Sequence, residues 1–195
     1  MTVYSGFTAT TAEKLLLDAG AFFKDFIVGT DTYATAVTAS KLLGATQGGG
    51  TFSAVPSIRD IPIDGVKGRA KGLQSIDEWV VTLTVNVKEV SEEILTLALG
   101  TGVSAEGTTG YKTITAGNDL VTADYVTNIT WVGRLSGQAL PVIIVVKNAL
   151  STGGLTLATA DKSESTIALT FEGHYDSTEL DSPPFEIHYP DPAVI

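Results

Sequence analysis

The stretch Ser75-Ile-Asp-Glu-Trp-Val-Val-Thr-Leu-Thr-Val-Asn-Val-Lys-Glu-Val90 decides the fold, because apolar and polar side chains alternate along most of its length. Trp79, Val81, Leu83, Val85 and Val87 point one way, and Glu78, Thr82, Thr84, Asn86 and Lys88 point the other. A period of two belongs to a half-buried strand, whereas the apolar stripe of a helix recurs every three to four residues. At about 3.3 Å per residue the strand would reach on the order of 45 Å, longer than most globular strands need, so it is expected to bend or to cross a subunit boundary.

Outward from this strand the same pattern recurs. Residues 111–115, 125–135, 138–150 and 165–175 read as further strands, rich in Thr, Val and Ile. In 125–135, Tyr125, Thr127, Ile129 and Trp131 oppose Asn128, Thr130 and Arg134. Pro141 pushes the start of 138–150 toward an edge or a bulge, since proline cannot donate to a ladder. Residues 151–154 are a turn and 155–159 a short strand or bend.

Helical signals are short. Ser91 can cap a helix over 91–100: Glu92 and Glu93 suit its N-terminal end, Gly100 its left-handed stop, and Ile94, Leu95, Ala98 and Leu99 form its apolar side. A second helix is expected over 34–43, stopped by Gly44. Residues 13–26 fit either an amphipathic helix or a strand bulged at Gly20, with the strand favoured by Gly20 and Phe22-Phe23. Residues 101–110 read as a polar, glycine-rich turn region, and 182–195, with four prolines, as an extended C-terminal arm. The whole describes a mainly β chain: an antiparallel β-sandwich or barrel flanked by one short α-helix, as a single domain over 1–195 without linker or repeat.

Composition narrows the function. The chain has 195 residues, 44% of them apolar, with 12 basic and 22 acidic residues and a formal charge of -10. That supports one sizeable core and excludes a disordered chain. The acidity argues against gripping nucleic acid, which needs clustered Lys and Arg to neutralise phosphates. It is also uneven: Glu164, Glu172, Asp176, Glu179, Asp181, Glu186 and Asp191 follow Lys162 with no basic residue among them. The absence of cysteine removes disulfides, zinc-thiolate sites and thiol catalysis. Residues 1–11 lack the basic and apolar regions of a secretory signal, and the longest apolar run, 139–146, is too short to span a membrane as a helix, so synthesis and folding in a cytoplasm are expected.

The chemical motifs are weak. Gly44-Ala-Thr-Gln-Gly-Gly-Gly-Thr51 matches a phosphate-binding loop except that Gly50 replaces the lysine, and a strand rather than a helix is expected to follow, so it reads as a flexible glycine turn. His174 and His188 lie among Asp176, Glu179, Asp181 and Glu186 without ligand spacing, which favours a solvated acidic surface over a metal site. Asp60 and Asp64 flank Ile61-Pro-Ile63 as a glycosidase pair could, but with Arg59 and Lys67 nearby they read as turn and ion-pair residues. There is no GxSxG elbow, and the Asn128-Ile-Thr130 sequon carries no meaning without a secretory signal. No enzyme, cofactor or metal is expected.

Four segments together resemble a known family: Gly44-Ala-Thr-Gln-Gly-Gly-Gly-Thr-Phe52, Ser57-Ile-Arg-Asp-Ile-Pro-Ile-Asp-Gly65, Gly68-Arg-Ala-Lys-Gly72, and the long strand ending Lys88-Glu89-Val90. They are similar to the major tail tube proteins of long-tailed phages and of related phage-tail-like particles of Gram-positive bacteria, over about residues 15–100. The resemblance implies a virion protein whose copies close into hexameric rings, stacked as a tube through which DNA leaves for the host. It also implies tape measure, tail terminator and distal tail proteins as partners, no membrane, and assembly in the host cytoplasm. Over-long strands and an extended arm suit a subunit that exports its sheet edges to neighbours. The loop 29–50, with Gly44, Gly48, Gly49 and Gly50, is the candidate ring-to-ring contact, and Arg59, Asp60 and Asp64 join it as candidate assembly residues. Glu172, Asp176, Glu179, Asp181 and Glu186 are the candidate acidic surface or lumen, where carboxylates would repel DNA and let it slide. Two alternatives stand beside this: a module that binds carbohydrate or protein through Trp79, Trp131, Tyr125 and Tyr175, and the tube of a DNA-free bacteriocin-like particle.

Overall fold

A computed structural model describes residues 6–191 apart from 9, 158, 160 and 163. In chain order the elements are β1 (Leu16–Lys24), α1 (Tyr33–Thr38), β2 (Thr46–Asp60), β3 (Gln74–Val87), α2 (Glu92–Ala98), β4 (Gly102–Glu106), β5 (Lys112–Ala116), β6 (Val126–Leu135), β7 (Val142–Ser151), β8 (Ile167–Glu172) and β9 (Phe185–His188). All strand pairs are antiparallel.

The β3 alternation becomes a buried face: Val81, Leu83, Val85 and Val87 are each no more than 1% exposed. They pack with Phe22, Ile129, Trp131, Val146, Leu169 and Phe171 into one core between two layers. One layer runs β1-β6-β7-β9 and the other β2-β3-β8. β7 joins them: Ile143–Val146 pairs with β9, whereas Leu150 and Ser151 pair with β8. The change of partner occurs at Asn148, whose φ of 45° bends the strand. Its Nδ2 donates to His174 O at 3.1 Å, which pins the bend to the segment after β8. The fold is therefore a mainly β, antiparallel sandwich with short helices on its flank.

Within 13–26 the strand reading holds for β1, Leu16–Lys24, which follows a 3-10 turn at Thr11–Lys14 and is bulged between Leu17 and Ala21 where Gly20 has φ 72°. Ser91 caps α2, its Oγ accepting from Ile94 N–H at 3.2 Å, and Ile94 and Ala98 are buried beneath it.

Several expectations need correction. The helix expected over 34–43 ends at Thr38, because Ser40 turns left-handed (φ 56°) and Lys41 N–H closes on Ala36 O well before Gly44. Two short helices, α1 and α2, flank the sheets. The turn region 101–110 holds β4, paired with β5 in a separate small hairpin; its small polar residues gave no alternation to read. Thr130, assigned to the polar side of β6, is 0% exposed, because Phe23, Phe26 and Ala36 form a second cluster near it; its Oγ1 bonds Asn128 Oδ1. Pro141 sits just outside β7, which is an interior strand and not an edge. The extended segment 182–195 is docked where it is described: Phe185–His188 is β9, paired with β7, and residues 192–195 lie outside the described residues. In 155–159, Leu157 makes a single bridge to Ile167.

Candidate functional site

The glycine stretch is not a free turn. Thr46 to Gly50 opens β2, with a register shift against β3 and with Gly48 and Gly49 at φ 80° and 69°. Gly50 lies so close to Phe22 that a Cβ would come within 3.0 Å of the ring. No helix follows it, as a phosphate loop requires. Gly44, with φ 114°, lies before the strand against Glu89. The loop 29–50 is thus divided between α1, a bridge at Leu42 and the start of β2.

From there β2 runs 15 residues as the terminal strand of its layer, paired with β3 alone. Among the described residues nothing pairs with its outer side. Beyond Thr82, β3 also leaves β8 behind. Gly173 N–H donates to Val81 O at 3.0 Å and Trp79 N–H to Tyr175 Oη at 2.8 Å; further out, Gln74 to Glu78 pair only with β2. The result is a two-stranded ribbon. On its outer face Val55 stands opposite Val80 and Ile58 opposite Ile76, all four about half exposed.

Arg59 and Asp60 lie at the far end of this ribbon. Arg59 Nε donates to both Asp77 carboxylate oxygens at 3.2 Å, while Asp60 accepts from Gln74 Nε2 at 2.9 Å and pairs with Arg69 at 3.0 Å. Asp64 is in the exposed turn beyond. At about 3.4 Å per residue, Gly50 and Asp60 are on the order of 30 Å apart. The structure therefore separates the candidate assembly residues into the two ends of one strand.

The five candidate lumen carboxylates are divided too. Asp176, Glu179 and Glu186 line one groove with His174 and Lys147, and Asp181 lines another with Glu78, Trp79 and Tyr175. Glu172 lies on the outer face of β8 and accepts from Thr152 Oγ1 at 3.1 Å. His174 Nδ1 lies 3.2 Å from Asn148 O, and His188 Nε2 3.1 Å from Glu186. Among the described residues no three His, Asp or Glu side chains converge to hold a metal ion. A cleft of about 960 Å³ beside β1 is lined largely by apolar residues, Phe26, Val28, Val132 and Ile143 among them.

Electrostatics ties β9 to β7. Lys147 bonds the Glu186 carboxylate and holds it below the ordinary glutamate range, with a smaller contribution from His188. A depressed carboxyl stabilises the fold above its unfolded titration and loses that contribution as pH falls through the folded value. Melting temperature should therefore fall on acidification through and below the ordinary glutamate range, and Lys147→Gln should flatten the Glu186 part of that dependence. A pH series of melting curves on both proteins checks this; equal slopes would contradict it.

The sequence could not show that Tyr175 and Phe185 serve the ribbon. Tyr175 closes a strand hydrogen bond, and Phe185 packs against Phe52 and Trp79 with ring centroids 5.9 and 5.4 Å apart. Pro183-Pro184 before β9 was the one available signal, since prolines guard short edge strands. Trp131 is buried and Trp79 packs on the core, so neither stands on an open face. No protein-family profile matches the chain, and no curated protein matches it either.

Proposed function

We propose that this chain is a structural, non-catalytic subunit that assembles with copies of itself into rings stacked as a tail tube. The observation that carries the reading is the β2-β3 ribbon: its edge strand of 15 residues has no partner on its outer side among the described residues, and the ribbon bears half-exposed Val55, Ile58, Ile76 and Val80. Long unpaired edges invite pairing with another chain, and proteins that remain monomeric blunt them. Here Pro56 and the glycine bulge interrupt the edge, but Thr51 to Val55 between them stays regular. Joining the edge to a different surface of the next copy is a heterologous contact, which closes into a ring or continues as a filament. The resemblance over residues 15–100 supplies the hexamer, the virion setting and the tail partners.

In this reading the part of the outer face where β8 pairs with β3 lines the channel, while the ribbon beyond Thr82 adjoins the next copy. By register the β8-paired part carries Thr51, Ser53, Thr82, Thr84, Thr170 and Glu172, largely a hydroxyl surface with one carboxylate. Such a face offers DNA phosphates no cationic grip, so a duplex slides past it. Only Glu172 of the five candidate carboxylates belongs to that face. A DNA-free tail-like particle would use the same subunit without the cargo. Sedimentation velocity at rising concentration tests the reading: a monomer boundary should give way to a discrete ring and then to larger species, whereas one monomer boundary throughout would defeat it.

A further inference from the structure

We propose that the loop at the end of the ribbon, residues 61–73, docks on the acidic segment 173–184 of a second copy, so that charge complementarity gives the assembly its direction. This rests on the self-assembly reading and names the contact that propagates it.

The loop differs in charge from the rest of the chain. Lys67, Arg69 and Lys71 fall within five residues of a protein whose formal charge is -10. Arg69 is matched by Asp60, but Lys67 and Lys71 have no ion-pair partner among the described residues. Beside them Ile61, Ile63 and Val66 are 41–52% exposed. The loop is thus a basic, apolar tip.

The opposite combination lies at the base of the ribbon. Glu179 and Asp181 have no Lys or Arg partner among the described residues, and Asp176 accepts only from Thr178. Leu180, between the two unmatched carboxylates, is 68% exposed and lines a groove of about 550 Å³ with Ile76, Glu78 and Trp79. An apolar anchor ringed by carboxylates matches apolar side chains ringed by amines.

Within one chain the two surfaces do not pair. Tyr175 fixes the acidic segment at Trp79, Leu180 and Asp181 share their groove with Ile76 and Asp77, and the loop begins beyond Gln74. Among the described residues no ion pair joins Lys67 or Lys71 to Asp176, Glu179 or Asp181, so these charges are free to meet between copies. Because they are different surfaces, the contact is head-to-tail and repeats without limit. Clustered basic residues can also attract nucleic acid, but four basic residues against two acidic ones over 59–72 is a weak field for phosphates.

The test uses the full chain with Lys67→Glu/Lys71→Glu, with Glu179→Lys/Asp181→Lys, and with all four changes together, followed by sedimentation velocity and electron microscopy. All four positions are exposed, so the variants keep the fold, which circular dichroism verifies. Each single-sided variant should need at least tenfold more protein to form stacks than the wild type, and the fourfold variant should regain stacking because both charges are exchanged. If the wild type stacks and the single-sided variants stack equally well, the contact is wrong while the tube reading survives. If the wild type stays monomeric at every concentration, the tube reading fails and takes the contact with it. If the wild type retains a duplex DNA probe at physiological salt and Lys67→Glu/Lys71→Glu releases it, the tip belongs to nucleic acid instead.

Discussion

Gly133→Val should destabilise the sandwich by on the order of 3 kcal/mol, a large share of the 5–15 kcal/mol typical of a domain. The reason lies in how Trp131 is housed. Its indole Nε1 donates to Ala19 O at 2.8 Å across the bulge of β1, and the ring lies over two glycines. A Cβ on Gly133 would stand within 2.8 Å of Trp131 Cζ3, and one on Gly20 within 2.6 Å of Cε2. Gly20 also has φ 72°, which side chains rarely adopt. Valine at 133 must expel the indole, losing its hydrogen bond and its burial at 8% exposure. Trp131→Ala should cost a similar amount for the lost burial alone. Combined with Gly133→Val, the two changes should cost clearly less than their sum, since the methyls then enter space the indole vacates. Urea unfolding of the singles and the double reads this directly; additive costs would mean that the ring and the glycine do not share one site.

Ile76→Lys/Val80→Lys should act the other way, leaving the monomer almost untouched while suppressing assembly. Both positions are about half exposed on the outer face of β3, opposite Ile58 and Val55, so surface substitution there should shift monomer stability by only about 0.5 kcal/mol. In the assembly the ribbon's part of this face, beyond Thr82, adjoins the next copy. Two buried amines without partners cost several kcal/mol, and each 1.4 kcal/mol raises the concentration needed for assembly tenfold, so a shift of about a hundredfold or more is expected. Urea unfolding of dilute protein together with sedimentation at high concentration separates the two effects. A variant that assembles at the wild-type concentration would remove this face from the interface.

How far the sequence could be read depended on what lies on each side of a strand. β3 was legible because one face is core and the other solvent, so Val81 to Val87 alternate cleanly with Thr82 to Asn86. In β6 the pattern broke down, since Phe23 and its neighbours cover the side on which Thr130 lies, and a buried threonine bonded to Asn128 looks polar in a sequence. β4 and β9 were missed for a related reason: strands of five and four residues built from small or proline-flanked residues carry too little periodicity. The site was less legible than the fold. Gly48 to Gly50 and Arg59-Asp60 look close in sequence, yet one continuous strand places them at opposite ends of the ribbon. Nothing in the sequence says that β8 stops pairing with β3 at Thr82 and leaves the ribbon bare.

Negative-stain electron microscopy of the purified full-length protein, over a concentration series at physiological salt, tests self-assembly most directly. The account predicts closed rings of uniform diameter with a central opening, stacking into tubes as concentration rises. Monodisperse single particles at every concentration, with no rings at the highest, would contradict it.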